Sequence, residues 1–220
     1  SLFKVAFDAT YLVSVLTDGR AIVLDEDGKP VVKEEVGLPA RIIPDFPGKM
    51  VGLWTPEQLL VAHPESGRTS LVEFAGSQAR SVDASDDFRR VAELDGRGIL
   101  SVYEAGASPV WQREVGEVAD RVYVSPQGGT ILLKDKDGRF RYYSPDGHLQ
   151  RKFRFGGEME SEVSGLAEDF TVFLRGGHRV SVLEHDGNEV FSGSLFKHTV
   201  GVEILGRQLA VYGPNGATAL

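Results

Sequence analysis

The sequence predicts an all-β fold assembled from about six repeated four-stranded units, the last of them incomplete. Three observations carry that expectation: two series of glycine turns share one period, short apolar runs lie between the turns, and no helical periodicity of useful length occurs in the 220 residues.

The first series is Asp18-Gly19-Arg20, Pro56-Glu57-Gln58, Asp95-Gly96-Arg97, Asp137-Gly138-Arg139, Gly176-Gly177-His178 and Asn215-Gly216-Ala217. Aligned on Gly19, Glu57, Gly96, Gly138, Gly177 and Gly216, its steps are 38, 39, 42, 39 and 39 residues. A second series, Gly28, Gly67, Gly106, Gly147 and Gly187, has steps of 39, 39, 41 and 40. Asp-Gly and Asn-Gly favour tight hairpins, because the central residues of a type I′ turn need positive φ. Each unit therefore holds at least two hairpins.

Between the two turns lies a short apolar strand, here strand C: residues 21–24, 59–62, 99–103, 140–143 and 180–183. Strand B precedes the first turn, over 11–16, 50–54, 88–94, 130–134, 170–174 and 208–212. Runs such as Ile131-Leu132-Leu133 are continuously apolar, as expected for a sheet covered on both faces. Strand D, as in residues 150–155, is more polar, and charge on an outer strand resists pairing with other chains. A shorter strand A, as in residues 121–124, opens each unit.

Four antiparallel strands, repeated about every 39 residues with both faces apolar, describe the blades of a β-propeller. A two-sheet sandwich has no need of the period. The expected organisation is one domain over 1–220, with blades at roughly 3–36, 40–74, 79–115, 120–155, 160–196 and 199–220. In the sixth unit the second glycine would fall beyond Leu220, so strands A and B are expected there, with at most the start of C. Either the ring closes around this short blade, or the chain is part of a longer protein.

The repeats resemble the broad superfamily of WD40-like, NHL-like and quinoprotein-like propellers. The resemblance rests on Val124-Ser125-Pro126-Gln127-Gly128, Ser144-Pro145-Asp146-Gly147 and Leu24-Asp25-Glu26-Asp27-Gly28, which encode turns. No unit ends in the Trp-Asp pair of true WD40 repeats, and Trp54 and Trp111 do not repeat.

Composition narrows function by exclusion. The net charge of −8, from 32 acidic and 24 basic residues, argues against a general nucleic-acid binder. The absence of cysteine removes disulfide frameworks and thiolate metal sites. No apolar run approaches the roughly 18 residues of a membrane span.

Candidate chemistry is sparse. Asp25 and Asp27 before Gly28, with Glu34 further on, approach a calcium loop, but Val23 occupies the opening ligand position. Asp135 and Asp137 before Gly138 fit less well, with Leu133 and Ser144 at the first and twelfth positions. Both loops lie among strands and read as structural turns. The histidines, His63, His148, His178, His185 and His198, share no metal-ligand spacing, and no Gly-x-Ser-x-Gly elbow occurs. No metal, cofactor or catalytic residue is expected.

In a propeller the B-to-C turns and the D-to-A connections share one face. That face is expected to carry Arg20, Arg97 and Arg139, with His178 in the equivalent place on blade five and Trp54 just before the turn of blade two. Arg and Trp are enriched at interface hot spots, so the expected function is a non-catalytic module that binds a protein or peptide there. The competing reading of these arginines is a solvated strand start paired within its own turn. The rival function is an enzyme or carbohydrate-binding protein working in the central channel through acids such as Asp8, Asp86 and Glu168.

Overall fold

The computed structural model describes residues 2–7, 11–43, 50–75, 78–104, 108–156, 161–176, 178–194, 201–205, 208–213 and 216–219. Their regular structure is entirely strand, arranged as six antiparallel sheets in chain order. The first holds β1 (Leu2–Phe7), β2 (Leu12–Leu16), β3 (Arg20–Leu24) and β4 (Pro30–Glu35). The second holds β5 (Arg41–Ile42), β6 (Val51–Trp54), β7 (Gln58–His63) and β8 (Arg68–Glu73). The third comprises β9 (Ala79–Ala84), β10 (Arg90–Asp95), β11 (Ile99–Glu104) and β12 (Pro109–Glu114). The fourth comprises β13 (Ala119–Val124), β14 (Ile131–Asp135), β15 (Arg139–Tyr143) and β16 (Leu149–Arg154). The fifth has β17 (Ser161–Leu166), β18 (Phe170–Arg175), β19 (Arg179–Glu184) and β20 (Glu189–Ser194). The sixth has β21 (Gly201–Leu205), β22 (Gln208–Gly213) and β23 (Gly216–Ala219), three strands where the others have four.

Every sheet pairs its strands in sequence order, so each is a meander of hairpins. Strands A of neighbouring sheets pack together, β1 with β5, β9 with β13 and β17 with β21, whereas the D strands are largely exposed. Strand A is therefore innermost and strand D outermost. An inner strand has an unpaired edge, whose amides need acceptors. In β13 these are met from the preceding blade: Ser81 Oγ accepts from the Val122 amide at 3.1 Å, and an Asp83 carboxylate oxygen from the Val124 amide at 2.7 Å.

The continuously apolar B and C strands are explained by what covers them. Ile131 and Leu133 of β14 join Leu94, Leu100 and Val102 in the core between blades three and four. Leu132, one residue out of phase, joins Phe140, Tyr142 and Phe173 between blades four and five. Alternate side chains thus serve two different cores, and none faces water. The fourth-to-fifth core is aromatic, with Phe140 and Phe173 edge-on at 4.9 Å and Phe140 stacked on Phe153 at 5.2 Å.

Carboxylates are buried in these layers too, Glu93, Asp95 and Asp135 among them. Glu93 of β10 is fully inaccessible, and its Oε2 accepts a 2.9 Å hydrogen bond from Tyr103 Oη. Tyr103 Oη in turn accepts from the Ala75 amide at 2.8 Å, which joins blade three to the chain leaving blade two. Burial raises the Glu93 pKa and pushes that of Tyr103 up to about 12.

Candidate interaction face

The B-to-C turns and D-to-A connections do meet on one side, through backbone hydrogen bonds that repeat from blade to blade. The Gly19 carbonyl accepts from Val36 and Gly37 at 2.9 and 3.1 Å. The Gly98 carbonyl accepts from Val115 and Gly116 at 2.8 and 3.1 Å, and Lys136 donates to the Val118 carbonyl at 2.8 Å. In the second blade Phe74 donates to Glu57 and Ala79 to Pro56, at 2.9 and 2.7 Å.

The turns are not all in the register expected from the glycine series. The residue at positive φ in blade three is Gly98, at 80°, and its amide bonds the Asp95 carbonyl at 3.2 Å. That matches Gly19 on Leu16 at 3.1 Å and Gly138 on Asp135 at 3.0 Å, so Gly98 rather than Gly96 is their equivalent. Arg97 consequently lies inside its turn, where blades one and four have Asp18 and Asp137, and is not the counterpart of Arg20 and Arg139. In blade five the His178 amide bonds the Arg175 carbonyl at 3.3 Å, which puts His178 in the glycine position and Arg179 in that of the arginines. The anomalous 42-residue step carried this signal, since 40 residues separate Gly98 from Gly138 and again Gly138 from His178. Blade two has a turn shorter by one residue, closed by the Thr55 amide on the Gln58 carbonyl at 2.8 Å.

Each arginine is held by an aspartate of its own turn. Arg20 Nε donates to Asp18 at 2.7 Å, and this hydrogen bond holds the Asp18 carboxyl below the usual carboxylate range. Arg97 Nε donates at 2.9 Å to Asp95, a buried carboxylate whose other oxygen accepts from the amides of Arg97 and Ile99 at 2.9 and 2.8 Å. Arg139 lies 3.3 Å from Asp137. The three arginine side chains nevertheless remain 62%, 63% and 63% exposed, on three different blades. The competing reading of local pairing is thus met in geometry, while the outer faces of the guanidinium groups stay open to solvent. His178 is exposed, with Nδ1 2.7 Å from the Gly176 carbonyl.

Trp54 is placed differently from the other four. It is 5% exposed and packs in the core between blades two and three with Leu59, Val61, Phe74 and Tyr103. Strand β6 runs straight into the turn with all four residues buried, and alternation sends Leu53 to the core with blade one and Trp54 to the core with blade three. Exposed Arg41 lies over the indole at 5.0 Å, so a guanidinium is what the surface displays here. Sequence reasoning passed over two exposed apolar residues on the same face, Leu38 (48%) and Val118 (53%), both in D-to-A connections. Their signal was available: an apolar residue in a link otherwise rich in Gly, Pro and charge.

On the opposite side, A-to-B loops of adjacent blades interlock. Asp86 donates its amide to the Pro126 carbonyl at 2.8 Å, and a Glu168 oxygen accepts from the Gln127 amide. Asp86 and Glu168 lie on loops of blades three and five, and Asp8 falls outside the described residues. Among the described residues, no group of three or more His, Asp or Glu side chains is placed to hold a metal ion. No helix of the described residues is long and apolar enough to cross a membrane.

Neither a family profile nor a curated protein sequence matches the chain. Solved structures do match across its whole length. The chain is similar to the computationally designed Ika8 protein, with a TM-score of 0.72 at 13% identity over 100% of this chain and 70% of that one. It is similar to the Cps50 (Swd1) β-propeller domain of Myceliophteria thermophila, with a TM-score of 0.67 at 12% identity over 100% of this chain and 83% of the other. A chain of the Mitotic Checkpoint Complex matches with a TM-score of 0.66 at 10% identity, over 98% and 72%. Together with the six meander sheets, these matches establish a β-propeller.

Proposed function

We propose that this propeller is a non-catalytic interaction module, and that its B-to-C face binds a protein or peptide partner. The observation that carries the reading is the composition of that face: Arg20, Arg97 and Arg139 are more than half exposed, interspersed with the exposed Leu38 and Val118. Planar cations beside apolar residues suit protein interfaces, where arginine anchors and aliphatic contacts recur. Cps50 (Swd1) and the Mitotic Checkpoint Complex chain show the same fold, the latter within a protein complex, which supports the class of function without identifying the partner. Neither a cofactor nor nucleic acid enters this proposal.

The test begins with a partner identified by pull-down and then purified. Replacing Arg20, Arg97 and Arg139 by Ala together with Leu38→Asp and Val118→Asp should weaken binding at least about tenfold, with the circular dichroism spectrum unchanged. Unchanged affinity would move the site off this face.

A further inference from the structure

Blades one to five each place an exposed guanidinium on the B-to-C face: Arg20, Arg41, Arg97, Arg139 and Arg179. On three of them an aspartate two residues earlier grips the arginine twice. One carboxylate oxygen accepts from the arginine's own amide, at 3.2 Å for Asp18, 2.9 Å for Asp95 and 3.3 Å for Asp137. The other oxygen faces Nε at 2.7, 2.9 and 3.3 Å. The turn of blade three is in a different register from those of blades one and four, yet the grip is the same. What the three blades share is therefore the held arginine rather than the turn.

The grip leaves one edge of each guanidinium open. A guanidinium carries five N–H donors in a planar fork, and a partner on the Nε side engages only that side. Arg20 uses Nε and Nη2 on Asp18, and Arg179 uses the same two nitrogens on the Ser192 hydroxyl, at 3.3 and 3.1 Å. The edge formed by the two terminal nitrogens is left over, and that edge takes a carboxylate through two parallel hydrogen bonds. A side chain already held in one orientation loses less rotamer freedom when a ligand docks on it. Arg41 is held by the Trp54 indole and Arg179 by a neutral hydroxyl, so these two keep their charge unneutralised.

We propose, resting on the reading of this face as a partner site, that the segment it takes is an acidic peptide whose Asp or Glu carboxylates dock on the terminal edges of these arginines. Apolar side chains between the carboxylates meet Leu38 and Val118, which lie in the adjoining D-to-A connections. Glu57 and Glu117 are also exposed on this face, so the attraction is local to each fork and is not a field over the whole surface. Asp18 and Asp137, 51% and 41% exposed, stay beside two of the forks. Their charge repels a doubly charged phosphate more than a singly charged carboxylate, which favours Asp and Glu over a phosphorylated residue.

The probe is a fluorescently labelled peptide of repeated Glu-Glu-Leu units, titrated with the 220-residue chain and followed by anisotropy. Saturable binding is expected, with none for the matching Lys-Lys-Leu peptide. Arg20→Lys, Arg139→Lys and Arg179→Lys together keep the charge and remove the fork, and should weaken binding at least about fivefold with the circular dichroism spectrum unchanged. Lack of saturable binding, equal binding of the lysine peptide, or affinity indifferent to the three substitutions overturns the proposal. Tighter binding of a phosphoserine peptide of the same pattern also overturns it. Whether a partner binds this face at all is decided separately, by the purified partner and the variant that alters Arg20, Arg97, Arg139, Leu38 and Val118, so the two can fail independently.

Discussion

Replacing Trp54 by Ala separates a residue of the inter-blade core from one that waits for a partner. The indole is 5% exposed and contacts apolar side chains of blades two and three, so truncation leaves a cavity where two sheets meet. Removal of a buried aromatic costs about 3 to 5 kcal/mol, a large share of the roughly 5 to 15 kcal/mol that keeps a typical protein folded. For a chain of this length the loss corresponds to a fall in Tm of about 6 to 20 °C. Arg41, exposed and stacked at 5.0 Å, adds about 0.5 to 1 kcal/mol, so Arg41→Ala is the mild control. Guanidinium unfolding followed by far-ultraviolet circular dichroism measures both variants, with the fluorescence of Trp111 as a second probe in Trp54→Ala. A Trp54→Ala loss below about 1 kcal/mol, with the denaturant slope unchanged, would refute the inter-blade placement, because surface substitutions fall in that range.

Other expectations follow from the same contacts. Gly138→Ala should cost about 1 to 2 kcal/mol, since φ is 78° and no atom obstructs the new Cβ, whereas Gly98→Ala should cost clearly more because its Cβ would overlap the Gly116 backbone. Equal losses on thermal denaturation would contradict this. Glu93 has its pKa raised by burial, so its contribution to stability is fully present below about pH 4.5 and is lost as pH rises through the folded value. Glu93→Gln, which keeps an acceptor for Tyr103, should therefore flatten the fall in stability toward alkaline pH; an unchanged profile counts against it. His185 lies between blades, with Nδ1 3.1 Å from Thr130 Oγ1 and its ring 5.0 Å from that of Tyr142, and burial lowers its pKa. Its contribution is present above about pH 6.5 and lost as pH falls through the folded value, so His185→Gln should reduce the loss of urea stability in that window.

Much of the fold was legible because turn chemistry and strand patterning agree. The expected strand C at 140–143 is β15, Arg139–Tyr143, and the expected strand D at 150–155 is β16, Leu149–Arg154. The start of strand C expected in the sixth unit is β23. What escaped was local register. An Asp-Gly pair is a turn signal wherever it occurs, and Asp95-Gly96 drew the alignment two residues away from Gly98. Burial of Trp54 was not readable either: a residue beside a turn reads as exposed, whereas both faces of β6 are covered, so either phase of the pleat buries it. The exchange of Ser81 and Asp83 onto the next blade has no sequence signature, since it joins residues 41 positions apart through side chain and backbone.

The cores between blades differ in kind. Between blades one and two the filling is valine, alanine, leucine and isoleucine; between two and three it includes Trp54, Phe74 and Tyr103; between four and five the rings of Phe140, Tyr142, Phe153 and Phe173 meet. A repeat chain risks misassembly, because any blade could dock against any other during folding. Unequal interfaces remove that degeneracy: the aromatic flank of blade four finds no matching volume against blade one, so docking out of order leaves voids or overlaps. Side-chain size thus labels each junction, and the order of the ring is written in its packing as well as in its connectivity.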